Sequence, residues 1–356
     1  MLDRSVIFIA QSVVPSEALR ILETAGRVVW GLSAERRTTS TGLQADTDEW
    51  AATRDHLLTM LSDIHGIFGY FPCDAPIIDG ATALRVIMTP TSGTDHIDMD
   101  AATASGVAVV NAAGASYTPV AEHVIGLSLS LLRHIGLADR EAHHTHRQRT
   151  NGQLIANFGL PSTLGGKTIG IIGFGFIGRE IARIARDGFR MNVRYYDPYF
   201  DAVEASRQGV SAKEDLRTLL EESDVVCICT PLTPETNGFF GIDQLAQMKS
   251  TAVLINCSRG RTVVTGDLLV ALKTKMIAGA GLDVTDPEPL PEGHEFFALD
   301  NVVLTPHLAG ISTETSLNQS MQVARDGVMA LGGKRPFHIV NPVVWPHRKG
   351  SMSAHL

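Results

Sequence analysis

Apolar residues fall into two alternating kinds of block along this chain. Short runs rich in β-branched and aromatic residues, at 6–9, 28–30, 64–70, 85–88 and 107–110, read as strands. Between them come stretches with helical spacing. Pro15-Ser16-Glu17 opens one that runs to residue 25, and another covers 46–62. A long, mostly apolar helix is expected over 118–132 and a polar one over 135–150. After Gly165-Gly166 the alternation restarts, with strands expected at 168–172, 193–196, 225–229, 252–256, 278–283 and 302–305. Helices at 176–187 and 267–273 separate some of these, and a last helix at 312–331 precedes a proline-containing tail. Strand-helix alternation of this kind builds parallel sheets with helices on their faces. The pattern therefore predicts an α/β protein with two doubly wound, Rossmann-like domains joined by one long helix.

Length supports two domains, because 356 residues exceed a usual single core. The net charge of -8 argues against a nucleic-acid or anionic-membrane partner, which the long-range field would not attract. The apolar stretch at 124–132 falls short of the roughly 20 residues a bilayer requires. The N-terminal segment is too short and too acidic for a signal peptide. Four cysteines, Cys73, Cys227, Cys229 and Cys257, match neither a disulfide framework nor a zinc ribbon, so a reducing, cytoplasmic setting is expected. No metal site is expected: His143, His144 and His146 cluster, but adjacent histidines on a helix face different ways, and no acid or thiol pattern completes a tetrahedron.

One motif carries a ligand expectation. Gly173-Phe174-Gly175-Phe176-Ile177-Gly178 follows an expected strand and opens an expected helix. The first glycine permits a tight turn, the second lets backbone approach a pyrophosphate, and the third lets helix and strand pack closely. The helix N-terminus supplies free N–H groups to the anion. Asp197 ends the next strand about twenty residues on, where a carboxylate accepts hydrogen bonds from a ribose diol. The same carboxylate repels a 2′-phosphate, and Pro198-Tyr199 offer no arginine to hold one, so NAD is expected rather than NADP.

Three polar residues follow expected strands of the second half. Arg259 lies in Asn256-Cys257-Ser258-Arg259-Gly260, Glu288 in Asp286-Pro287-Glu288-Pro289 and His307 in Thr305-Pro306-His307-Leu308. Ligands of open α/β sheets bind beyond the carboxyl ends of strands, so these loops belong to one crevice. Taken singly, each residue has a plain structural reading: a surface ion pair, a solvated acid, a capping histidine. Together they suit hydride transfer to a 2-oxo acid, whose oxygen needs a proton and a fixed positive charge as the hydride arrives. His307 can give the proton, and Glu288 beside it would favour the imidazolium. Arg259 can polarise the carbonyl and grip the carboxylate with a fork that lysine lacks.

Over about 84–310 the chain resembles the D-isomer-specific 2-hydroxyacid dehydrogenases. The resemblance rests on Thr94-Asp95-His96-Ile97-Asp98, Val120-Ala121-Glu122-His123, the glycine motif, Thr230-Pro231-Leu232-Thr233, Asn256 to Gly260, Gly281-Leu282-Asp283-Val284, Glu288-Pro289-Leu290 and Thr305-Pro306-His307. It implies a discontinuous substrate domain, 1–115 with 309–340, into which an NAD-binding domain, 116–308, is inserted, with 341–356 as a tail. It also implies catalysis in a cleft, by Arg259 binding substrate, Glu288 supporting the histidine and His307 as acid/base. Asp283 would hold the nicotinamide carboxamide, and Thr230 and Cys257 would line the cofactor. Phe176 and Ile177 would meet the pyrophosphate, and the backbone at Ser92 and Gly93 would take the substrate carboxylate. A homodimer is implied, with helices such as 120–132 at its interface. Similar formate-oxidising proteins carry glutamine where Glu288 stands, and phosphite-oxidising ones a lysine where Ser92 stands. Both departures point to a 2-hydroxy acid instead, without naming which one. A second reading of the same fold is an NADH-sensing corepressor-type binding protein. It predicts long flanks with partner motifs, where this sequence has only a short tail.

Overall fold

The structure is a computed structural model, and it describes residues 5–10, 14–31, 54–147, 150–200, 209–213 and 215–349. Two compact units emerge, one from Met1–Ser116 with Ser312–Leu356 and the other from Tyr117–Ile311.

The first unit holds a five-stranded sheet of β1 (Ser5–Ile9), β2 (Gly26–Trp30), β3 (Gly66–Phe68), β4 (Val86–Thr89) and β5 (Ala108–Asn111), in the order β2-β1-β3-β4-β5. Every pairing is parallel. β3, β4 and β5 are buried along their whole length, which is why their sequences are unbroken apolar runs rather than alternating ones. Short helices start where an acid can cap them. Asp74 accepts the Ile77 N–H ahead of Ala75–Gly80, and Asp98 accepts that of Ala101 ahead of Met99–Ala104. Helix Thr313–Leu331 lays Val323, Ala324 and Ala330 into the cluster that contains Met88 and Val110.

The expected tail is part of this unit up to Lys349. Asn341 accepts from the Val109 N–H at 2.9 Å and donates to the Val107 carbonyl at 2.9 Å, while Val344 is buried. A buried amide with both ends paired extends the β5 edge, so residues 341–349 are packed structure; 350–356 lie outside the described residues. Of the helix expected at 46–62, residues 46–53 likewise lie outside.

The second unit holds a seven-stranded parallel sheet: β6 (Thr168–Ile172), β7 (Asn192–Tyr196), β8 (Ser211–Ala212), β9 (Val225–Ile228), β10 (Val253–Asn256), β11 (Gly279–Leu282) and β12 (Val302–Leu304). Its order is β12-β11-β10-β9-β6-β7-β8. The direction of winding reverses between β6 and β9, which opens a crevice at their carboxyl ends. β9 and β10 are wholly buried, each Val, Leu or Ile contributing roughly 1.5–3 kcal/mol. Helix Tyr117–Leu132 covers one face through Val124 and Leu127, packed with Val253 and Ile255.

The polar helix expected over 135–150 is shorter. It spans Ile135–Thr145 and ends at His146, in the left-handed region with φ 50°. A second helix, Asn151–Phe158, begins with a capping box in which Thr150 and Gln153 satisfy each other's backbone N–H groups. The Thr-x-x-Gln spacing was the local signal for that break.

Candidate active site

The glycine turn sits at the switch point of the second sheet. Gly173 leaves β6 with φ 92°, and Gly178 packs against its carbonyl. Asp197, just past β7, accepts the Phe174 N–H at 2.7 Å through Oδ2 and the Tyr199 N–H at 2.8 Å through Oδ1. The carboxylate is thus aimed at the turn, with a lone pair still available on each oxygen. Arg194, on the same strand, pairs with Glu222 at 3.7 Å.

Helix Phe176–Phe189 begins at Gly175, which has no side chain to cap it, so the first N–H groups, those of Phe176 and Ile177 among them, have no intrahelical acceptor. Gly175 is exposed, and a Cβ placed on it meets nothing within 4 Å. The Arg179 guanidinium lies 5.1 Å from the Phe176 ring centroid. At the facing end of β9 the Thr230 hydroxyl oxygen is buried and, among the described residues, has no hydrogen-bond partner. A bare helix start, an open cradle, a diol-accepting carboxylate and an orphaned hydroxyl fit a dinucleotide. Cys257 lies on the same edge, after β10; burial pushes its thiol well up, and the charge of Asp283 adds to the effect.

Further along that edge, Arg259, Glu288 and His307 come from three successive loops. Asn256 is buried and organises the first. Its amide donates to the Arg259 carbonyl at 2.9 Å, and its oxygen accepts from the Ser258 N–H at 3.0 Å. Gly260 allows the next loop to touch the first, since a Cβ there would fall 1.8 Å from the Thr285 carbonyl oxygen. Thr265 Oγ1 adds a bond to the Asp286 carbonyl at 2.8 Å. Glu288 Oε1 then meets His307 Nδ1 at 2.6 Å. Burial pushes the Glu288 carboxyl up, but the His307 hydrogen bond and charge, the Thr285 N–H and the Arg259 charge outweigh it and hold it below the usual carboxylate range. Glu288 is therefore ionised near neutrality, and Arg259 is near enough to act on it electrostatically.

Asp283, expected to hold the nicotinamide carboxamide, also has a structural part. It is 2% exposed, and both carboxylate oxygens brace the loop that carries His307. Oδ1 accepts from Thr305 Oγ1 at 2.6 Å and the Leu308 N–H at 3.0 Å, and Oδ2 accepts from the Ala309 N–H at 2.9 Å. One lone pair of Oδ2 is left for another donor. His123, Thr305 and Asn256 join the cluster as residues to which the sequence reading assigned no role. Ser92 and Gly93 follow β4 in the first unit. Asn111 holds the Ser92 carbonyl at 2.7 Å, and Thr91 Oγ1 holds that of Gly93 at 2.8 Å.

A doubly wound unit with a dinucleotide-type glycine turn and a guanidinium, a carboxylate and an imidazole along its carboxyl edge has the parts of a nicotinamide-dependent oxidoreductase. Residues 125–309 match the family described as D-isomer specific 2-hydroxyacid dehydrogenase, NAD binding domain. A glyoxylate reductase of Pyrococcus furiosus is 37% identical over 83% of this chain and 84% of its own length. A D-3-phosphoglycerate dehydrogenase of Archaeoglobus fulgidus is 39% identical over 73% of this chain and 48% of its own. Among solved structures, the TT0316 protein of Thermus thermophilus superposes with a TM-score of 0.79 at 30% identity, over 94% of this chain and 99% of that one. The chain belongs to the D-isomer-specific 2-hydroxyacid dehydrogenases. It is an NAD-dependent oxidoreductase acting on CH–OH donors. Among the described residues no helix is long and apolar enough to cross a membrane.

Proposed function

We propose that this protein interconverts a small 2-oxo acid and the D-2-hydroxy acid, with His307 as acid/base, Glu288 as its partner and Arg259 as the substrate's guanidinium anchor. The 2.6 Å contact between Glu288 and His307 carries the reading. It occupies Nδ1 and leaves Nε2 as the free nitrogen, the arrangement of an imidazole set to exchange a proton with a ligand. The cofactor, when bound, supplies or takes up the hydride at C2. His307 donates the proton that the carbonyl oxygen needs in reduction and removes it in oxidation. An ionised Glu288 stabilises the imidazolium that donates. Arg259 opposes the negative charge that grows on the carbonyl oxygen and pairs with the carboxylate.

The remaining lone pair of Asp283 Oδ2 suits a carboxamide N–H, and the held turn at Ser92 and Gly93 suits a substrate carboxylate. The relatives' names favour glyoxylate-sized acids: the Pyrococcus furiosus protein is a glyoxylate reductase. A homodimer is proposed from helices Ile135–Thr145 and Asn151–Phe158, which bury no residue within the chain and leave the apolar Ile135 and Ile155 exposed. A reducing, cytoplasmic home is proposed from four unpaired cysteines.

The test is NADH oxidation with glyoxylate, hydroxypyruvate, pyruvate and bulkier 2-oxo acids, on wild type and His307→Ala. The variant should bind NADH normally and lose on the order of 10²–10⁴ in turnover. Undiminished turnover removes His307 from the role.

A further inference from the structure

His307 sits in a backbone conformation that needs support. Its φ is 54°, and a non-glycine residue in the left-handed region is strained and persists only where its surroundings impose it. Asp283 supplies most of the constraint. Its carbonyl accepts the His307 N–H at 2.8 Å, and its carboxylate accepts Thr305 Oγ1 and the N–H groups of Leu308 and Ala309. Among the described residues, the loop's other bonds to neighbouring elements run to Leu282 and Glu288, with one exception. His123, on helix Tyr117–Leu132, places Nε2 2.9 Å from Thr305 Oγ1 and 3.6 Å from Asp283 Oδ1.

The direction of each bond follows from valence. The Asp283 carboxylate accepts the N–H groups of Leu308 and Ala309, and Thr305 gives its single hydroxyl proton to Oδ1 at 2.6 Å. The Thr305 oxygen is then left to accept, and His123 must donate from a protonated Nε2. We propose that His123 is a positioning residue: its Nε2–H bond to Thr305 commits the threonine proton to Asp283 and ties the His307 loop to helix Tyr117–Leu132. The helix is a firm anchor, since Val124 and Leu127 on it are buried in the core. His123 does not touch the reacting atoms; it governs how the His307 imidazole is presented. The role in turnover rests on His307 being the acid/base, whereas the bond pattern itself does not.

Two measurements test this, one of them independent of catalysis. In the wild-type protein labelled with 15N-histidine, the His123 ring should show a protonated Nε2; an unprotonated Nε2 overturns the proposal. In kinetics, His123→Leu should lower kcat about 10- to 100-fold through a misplaced His307, with NADH affinity unchanged. His123→Gln, whose amide keeps a donor near the Nε2 position, should recover most of that loss. Thr305→Val, which removes both the acceptor for His123 and the proton given to Asp283, should cost at least as much as His123→Leu, and the double variant should be no worse than Thr305→Val alone, because His123 acts only through that hydroxyl. Full activity in His123→Leu, no recovery in His123→Gln, or additive losses in the double variant would each overturn it. Should His307→Ala retain turnover while the Nε2 proton is found on His123, the acid/base assignment falls and the brace stands.

Discussion

Gly178 and Gly175 belong to one motif but answer to different forces, and alanine at each should separate them. At Gly178 a Cβ would lie 2.4 Å from the Gly173 carbonyl oxygen and 3.1 Å from Ile171 Cγ2. The first contact is backbone on backbone, so no side chain can swing aside. Overpacking of this kind costs about 1–3 kcal/mol, and a rigid neighbour argues for the upper end. Alanine returns about 1 kcal/mol, because Gly178 lies within helix Phe176–Phe189. The net loss is then about 2 kcal/mol, or about 4–8 °C in Tm for a unit of this size. At Gly175 the added methyl group meets nothing within 4 Å, and its φ of -72° accepts any residue. Stability should fall by less than about 1 kcal/mol from the poorer helix cap. The methyl group points instead into the cradle over the helix start. Disturbing charge-assisted bonds there costs about 1.5–3 kcal/mol, about tenfold to a hundredfold in NADH Kd. Calorimetry and NADH fluorescence titration on both variants give the answer. Equal Tm losses in the two, or unaltered NADH affinity in Gly175→Ala, would refute the reasoning.

Other perturbations have signs that follow from the same geometry. Asp197→Ser removes the charge that repels a 2′-phosphate, so the NAD preference in kcat/KM should fall about tenfold or more, corresponding to about 1.4 kcal/mol of lost repulsion; an unchanged ratio would count against Asp197 as the selector. Burial raises the Asp224 carboxyl, but the Thr168 N–H and Lys249 lower it further, leaving it below its ordinary value. A depressed carboxyl stabilises the fold above its unfolded value of about 3.9 and loses that contribution as pH falls through the lower folded value. Asp224→Asn should therefore melt below wild type at pH 7, with the gap closing below about pH 4 in denaturant titrations. Burial pushes the Cys73 and Cys229 thiols up to about 12 and those of Cys227 and Cys257 well above normal, so all four should resist a thiol reagent at pH 8 until the chain is unfolded. Rapid reaction of a native thiol would contradict the burial.

The strands other than β8 were legible because most are buried on both faces, and burial on both faces forces unbroken apolar runs; β8, two exposed residues at Ser211–Ala212, has no such run to read. The NAD turn was legible for a similar reason: a tight turn, a close backbone approach and a helix start each demand a particular residue within a few positions. Arg259, Glu288 and His307 could be named because strand ends in a wound sheet share one edge. Short-range rules also held the break after Thr145, in the Thr150-Gln153 capping pair, although a continuous polar pattern across 135–150 masked it. Tertiary structure alone decided the rest. Asp283 braces the His307 loop because two backbone N–H groups and the Thr305 hydroxyl reach its carboxylate, and nothing in the local pattern around Asp283 announces those partners. Asn341 knits residues far downstream onto β5 through a buried amide. His123 and Thr305 meet only after the chain has laid down an entire seven-stranded sheet between them. Periodicity and capping are properties of neighbours in sequence, whereas a buried polar group takes its partner from whatever the completed fold brings within 3 Å.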